Sequence, residues 1–150
     1  MSVMATEALT TEQMVNIAQE HVTAFNSGDW EKLRAGLAVD ARYDEFGTQR
    51  SAEGPEKIVE FFKGWKTAFP DATATVSSTV VSGNKTGLEV IWKGTHTGPL
   101  ETAEGTIPAS GKSQETPGAI FFTFEDGKIK ESRQYFDSMT LLKQIGAQPE

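Results

Sequence analysis

The sequence predicts an α+β domain in which helices come first and antiparallel strands follow, and three observations carry that expectation. Apolar residues recur at spacings of three and four as far as about residue 70, the period changes to two from Ala72 onward, and short Gly- and Asn-containing turns separate the later runs. At 150 residues the chain is long enough to bury one core and too short to divide comfortably into two. A single domain over residues 10–150 is expected, behind a flexible leader at residues 1–9.

Thr10 followed by Gln13 fits a capping box. Met14, Ile17, Ala18, His21, Val22 and Phe25 then form one helical stripe that ends near "NSGD". Asp29 caps a shorter helix, "WEKLRAGLA", with Trp30, Leu33 and Leu37 on its apolar face. "RYDEF" is too short and aromatic for a helix and reads as a brief strand, followed by a polar loop. Pro55 suits the first position of a third helix, "PEKIVEFFKGWKTAF", in which Ile58, Phe61, Phe62, Trp65 and Phe69 face one way until Pro70 stops it. "ATATVSSTVV", "TGLEVIWKGTHT", "GAIFFTF" and "KIKESRQYF" form a four-strand meander with hairpin turns at "SGNK" and "EDGK". A short last helix, "SMTLLKQIG", is capped by Asp137 or Ser138 and ends at Gly146.

The absence of cysteine excludes disulfides, thiolate nucleophiles and cysteine-ligated metal sites. A formal net charge of -7, with no run of Lys or Arg, argues against nucleic acid and anionic membranes as partners. The N-terminus lacks a basic and apolar signal, and no apolar run approaches the length of a membrane span, so a cytoplasmic protein is expected. The two histidines are far apart, without H-x-H or H-E-x-x-H, and no metal is expected. No G-x-G-x-x-G or P-loop pattern occurs, and no nucleophile elbow supports a Ser-His-Asp triad; no cofactor is expected.

On "TGLEVIWKGTHT", alternation puts Leu88, Val90, Trp92, Gly94 and His96 on the more apolar face, which should point inward. His96 then stands at the open end of that face, where Gly94 leaves room for a ligand and an imidazole suits general acid–base work. The alternative is a strand-end histidine bonded to solvent or to Thr97. His21, in the stripe of the first helix, reads as an interfacial histidine rather than a catalyst. In "RYDEF", Tyr43 and Glu45 share one face and Asp44 takes the other. Asp44 or Glu115 would orient His96. Arg133, on the last strand, requires a carboxylate or an anionic ligand, and Glu115, Glu131 or Asp137 would answer it; Asp137 serves equally as a helix cap. Trp30, Phe62, Trp65, Trp92 and Phe122 suit the wall of an apolar cavity or an ordinary core.

"AFNSGDWEKL", "FFKGWKTAFPD", "WKGTHTGPL", "PASGK", "FEDGKIKE" and "YFDSMTLLKQIG" resemble the SnoaL-like polyketide cyclase (ester cyclase) family, within the group that has the fold of nuclear transport factor 2. The resemblance runs from about residue 14 to Gly146, with the motifs in order. It implies a cone-shaped α+β barrel: three N-terminal helices packed on a curved, mainly antiparallel sheet, with a short C-terminal helix. It also implies a cavity for a small hydrophobic molecule and a homodimer formed through the sheet. Relatives include cofactor-free aldol cyclases, hydroxylation enzymes and proteins that only bind. Many have a histidine where Asp44 stands. The acid–base aspartate of the aldol cyclases falls at Gln134, and their supporting asparagine and histidine fall, within a residue, at Tyr43 and Ile120. Gln134 bonds a carbonyl but exchanges no proton at neutral pH, which argues against that mechanism. An epoxide hydrolase of the limonene type, needing a carboxylate near the same position, is disfavoured likewise.

Two functions are therefore expected. One is a cofactor-free acid–base enzyme acting on an apolar, carbonyl-bearing substrate by cyclisation, isomerisation or hydration, with His96 as acid or base, Asp44 or Glu115 orienting it, and Arg133, Gln134 and Tyr43 positioning oxygen atoms. The other is a non-catalytic binding protein for a small hydrophobic ligand in the same pocket.

Overall fold

The computed structural model describes residues 8–147, so most of the leader expected at residues 1–9 lies outside the described residues. Helix α1, Thr11–Ser27, begins at a complete capping box, in which Thr10 Oγ1 accepts the Gln13 N–H at 3.1 Å and Gln13 Oε1 accepts the Thr10 N–H at 2.8 Å. It ends at Gly28, whose φ of 71° is left-handed and suits glycine. Asp29 caps α2, Trp30–Ala35. That helix is shorter than "WEKLRAGLA" suggests. Leu37, expected on its apolar face, instead opens strand β1, Leu37–Glu45. The four-residue strand β2, Arg50–Glu53, lies in the expected polar loop; "RSAE" has no apolar alternation to announce it.

Pro55 occupies the first turn of α3, Pro55–Ala68, and Phe69 closes it. Strands β3, Thr73–Ser82, and β4, Lys85–Thr95, form a hairpin. A separate small hairpin follows, β5, Leu100–Thr102, with β6, Gly105–Ile107, neither foreseen from so short a stretch. Strands β7, Ser113–Glu125, and β8, Lys128–Phe136, complete the sheet. The last helix, α4, Ser138–Gln144, is capped by Asp137, whose Oδ1 accepts the Met139 and Thr140 N–H groups.

The main sheet has six strands in the order β2-β1-β8-β7-β4-β3, so the expected meander is present and extended by β1 and β2. All pairs are antiparallel except β1 with β8. This parallel pair explains Leu37: it registers with Ile129, and the Ile129 N–H donates to the Gly36 carbonyl at 2.9 Å, so a long-range ladder overrides the local helical preference. Pro117 sits inside β7 yet harms little, because β8 pairs with β7 only from Gly118 onward and leaves one side of β7 free there.

Helices α1 and α3 cover the concave face of the sheet. Met14, Ala18 and Val22 of α1 and Ile58 and Phe62 of α3 are buried against Leu88, Val90, Ile120 and Phe122. The result is a mixed α+β fold: helices gathered N-terminally on a curved sheet, with a short C-terminal helix. Among the described residues no helix is long and apolar enough to cross a membrane.

Candidate functional site

Helices α1 and α3 do not fill the sheet's concavity, and a cavity of about 80 Å³ remains between them. That is room for roughly five to eight water-sized positions. Its walls are largely aromatic. Val22 and Phe25 come from α1, Phe62 and Trp65 from α3 with Phe69 at its end, and Trp92 from β4; Ile120 and Phe122 of β7, Phe136 of β8 and Leu141 of α4 close it. The polar groups are few: His21, Tyr43, Gln114, Thr116, Ser132 and Gln134, with the indole nitrogens of Trp65 and Trp92.

Tyr43, Gln134, Trp65 and Trp92 bond in a connected row that leads to Glu45. Trp92 Nε1 donates to Gln134 Oε1 at 2.7 Å, Gln134 Nε2 donates to the Tyr43 hydroxyl at 2.8 Å, and that hydroxyl donates to Glu45 Oε2 at 2.6 Å. Trp65 Nε1 donates to the same carboxylate oxygen at 2.9 Å, while Thr48 Oγ1 donates to Oε1 at 2.7 Å. Arg50 stands 3.8 Å away. Glu45 is only 1% exposed, and burial pushes its carboxyl above the ordinary range against the opposing effect of its three hydrogen bonds. Burial, reinforced by the Glu45 charge, holds Tyr43 well above the usual phenol range, so it is a neutral donor at pH 7.

A second short chain runs along β7, where Thr116 Oγ1 donates to Gln114 Oε1 at 2.6 Å and receives the Gln144 Nε2 donor at 3.2 Å. His21 belongs to neither chain. Neither of its ring nitrogens has a partner among the described residues, and burial lowers its pKa to about 4, leaving the imidazole neutral at pH 7.

The residues proposed from sequence divide sharply in space. Tyr43, Phe62, Trp65, Trp92, Phe122 and Gln134 line the cavity. Trp30 does not; it packs edge-on against Phe25 at 6.0 Å, behind the cavity wall. His96 does not reach the cavity either. It is buried, tilted over Phe69 at 5.2 Å, and its Nδ1 accepts the Ser110 N–H at 3.2 Å with Ser110 Oγ at 2.9 Å. That acceptor role puts the ring proton on Nε2 and makes His96 a clamp on the loop before β7.

The room beside Gly94 goes to the protein rather than to a ligand: a Cβ there would lie 3.1 Å from Phe69 Cβ. Asp44 faces away from the cavity, as alternation with Tyr43 and Glu45 requires, and its carboxylate accepts Arg42 Nε at 3.0 Å. Glu115 is exposed and stands 3.9 Å from Lys93. Arg133 is exposed on the opposite face of β8 from Gln134. Hence no Asp44–His96 or Glu115–His96 pair exists, and Arg133 positions no oxygen in the cavity. Asp137 caps α4. Among the described residues no cluster of three His, Cys, Asp or Glu side chains is placed to hold a metal ion.

Sequence reasoning undervalued Glu45 and His21. Glu45 had a signal in the alternation of "RYDEF", which turns an acid inward beside Tyr43; His21 sits squarely on the buried stripe of α1. Gln114, Thr116 and Ser132 had none, being small or neutral polar residues in strands.

Comparison with known proteins agrees with this architecture. The profile of the SnoaL-like polyketide cyclase family matches residues 15–145. No curated protein matches the chain. Among solved structures, a candidate SnoaL-like polyketide cyclase from Jannaschia sp. CCS1 is similar with a TM-score of 0.82 and 21% identity, over 95% of this chain and 99% of that one. IdmH, a candidate polyketide cyclase from Streptomyces antibioticus, is similar with a TM-score of 0.75 and 29% identity, over 89% and 99% of the two chains. A protein of ketosteroid isomerase-like fold from Catenulispora acidiphila DSM 44928 is similar with a TM-score of 0.75 at 16% identity, over 89% and 93%. The profile match covers most of the chain and the fold agrees with it: the chain belongs to the SnoaL-like polyketide cyclase family.

Proposed function

We propose that the protein binds a small, uncharged, largely apolar molecule bearing a carbonyl oxygen in the cavity between α1, α3 and the sheet. One observation carries this reading. The wall is aromatic, and the groups on it that titrate, His21 and Tyr43, are both neutral at pH 7. Such a site gains from excluding water around apolar carbon and offers nothing to a charged ligand. Gln134, where the aldol cyclases of the family carry their acid–base aspartate, supports binding over cyclisation by their mechanism.

The buried Tyr43–Glu45 pair favours a second reading, proton transfer on the same ligand. Glu45 would take the Tyr43 proton as the Tyr43 oxygen takes one from carbon alpha to the carbonyl, leaving Glu45 protonated, Tyr43 restored and the ligand as its enolate. A single experiment addresses both: 1-tetralone in deuterated buffer, followed by proton NMR. Saturable broadening of the tetralone signals with no faster loss of its alpha protons is the outcome expected for a binding protein. Accelerated alpha-deuteration that vanishes in Glu45→Gln would establish the enzyme instead. No broadening at all would refute both.

A homodimer through the outer face of the sheet also belongs to this proposal. That face carries Phe46, Phe121 and Tyr135 at 45%, 44% and 40% exposure, with Phe46 and Tyr135 stacked at 4.6 Å. Clustered exposed aromatic rings are the signature of a surface awaiting a partner.

A further inference from the structure

Within the cavity, His21 is the side chain that its own fold explains least. It is 9% exposed on the buried stripe of α1, a setting in which an apolar side chain is the usual occupant. Its ring meets Phe122 edge to face at 5.1 Å and Phe62 at 6.1 Å. A neutral imidazole carries one N–H donor and one bare acceptor, and neither ring nitrogen is answered by any described protein group. A polar atom buried against aromatic carbon is costly unless something bonds it.

The other polar groups of the wall, Ser132 apart, are differently placed. Trp92, Gln134, Tyr43 and Glu45 satisfy one another in sequence, and so do Gln144, Thr116 and Gln114. A ligand oxygen arriving at the Gln134–Tyr43 row must compete with bonds already made. An oxygen arriving at His21 breaks none.

We propose that His21 is the hydrogen-bonding anchor of the ligand site: its N–H donates to the carbonyl oxygen of an uncharged molecule whose apolar body lies against Phe62 and Phe122. The proposal rests on the binding reading above and adds to it the residue that recognises the oxygen. Because burial keeps the ring neutral at pH 7, the anchor is a donor without charge, suited to a ketone or ester. A carboxylate would enter an apolar cavity with no cation on its wall.

The test compares two ligands of nearly equal shape, 1-tetralone and its parent hydrocarbon tetralin, by quenching of Trp65 and Trp92, which both line the cavity. The quantity read is the ratio of the two affinities in the full chain and in His21→Leu. Loss of a neutral hydrogen bond predicts that the ratio falls about tenfold in the variant, with tetralin bound at least as well as before. An unchanged ratio overturns the anchor while leaving the binding reading standing. Failure of both ligands to bind the unaltered protein overturns both.

Should His21→Leu not fold, nitrogen-15 NMR of the unaltered protein decides. Adding 1-tetralone is expected to shift the protonated ring nitrogen of His21 downfield while tetralin does not. A His21 signal indifferent to 1-tetralone under saturating conditions contradicts the proposal.

Discussion

His21 binds its proton far more weakly in the folded protein, where its pKa is about 4, than in the unfolded chain, where 6.5 applies. Between those values the unfolded state holds more protons, so stability rises with pH, is complete above about 6.5, and is lost as pH falls towards 4. A shift of this size corresponds to at most about 3 kcal/mol. Urea unfolding at pH 7 and at pH 4 should show the unaltered protein losing up to ~3 kcal/mol more than His21→Leu over that interval. His96, also lowered by burial, acts in the same direction in both proteins and cancels in the comparison. Parallel losses would show that His21 is not buried in its neutral form. Single residues were legible in the sequence to the extent that alternation governs them: Trp92 turns inward as its strand requires and Tyr43 shares a face with Glu45, whereas alternation sets Gln134 opposite Arg133 without saying which of the two meets the cavity. The chemistry given to His96 was not legible, because its fate depends on Phe69 and Ser110, which reach it from α3 and from a loop.

At the scale of elements, the loop after β4 is held where it is by close approach of backbones. Gly98 donates its N–H to the Ala68 carbonyl at 3.1 Å, and a Cβ on it would collide with the Thr67 carbonyl oxygen. The end of α3 and the chain leaving β4 therefore fit only if residue 98 has no side chain. Gly98→Ala should destabilise the protein by about 1–3 kcal/mol, read as a lowered urea midpoint at unchanged m-value. A loss below ~0.5 kcal/mol would mean that this contact does not hold the loop. The same approach accounts for the break in "WKGTHTGPL", where Gly-Pro follows the histidine: the chain turns there to dock on α3. Helices α1 and α3 and the β3–β4 and β7–β8 hairpins were legible because caps, helical stripes and turn residues are local signals. The parallel pairing of β1 with β8 was not, since Leu37 meets Ile129 only after the chain has folded back across the whole sheet. For the same reason α2 was read too long.

For the whole molecule, the concave side of the sheet supplies the cavity and the convex side the exposed aromatic rings. The two faces are separable, because residues alternate between them along β7 and β8: Ile120 and Phe122 point in and Phe121 points out, as Gln134 points in and Tyr135 out. If the outer rings form the dimer proposed above, sedimentation will give a dimer mass for the unaltered protein and a monomer mass for Phe121→Lys, with binding in the cavity kept. A monomer in both cases would contradict the dimer and leave the cavity untouched. The α+β class and its curved sheet were readable from the switch in periodicity and from the family resemblance, whereas the size and polarity of the cavity depend on how far two helices stand off the sheet. That distance is set by packing between residues remote in sequence, such as Phe25 and Trp92, whose rings meet at 5.2 Å. Ligand binding in that cavity is the property on which the proposed function depends. The most direct measurement is a crystal structure of the protein soaked with 1-tetralone: electron density for the ligand enclosed between Phe62, Trp92 and Phe122 is the predicted result, and a closed, unaltered cavity with 1-tetralone bound elsewhere would contradict it.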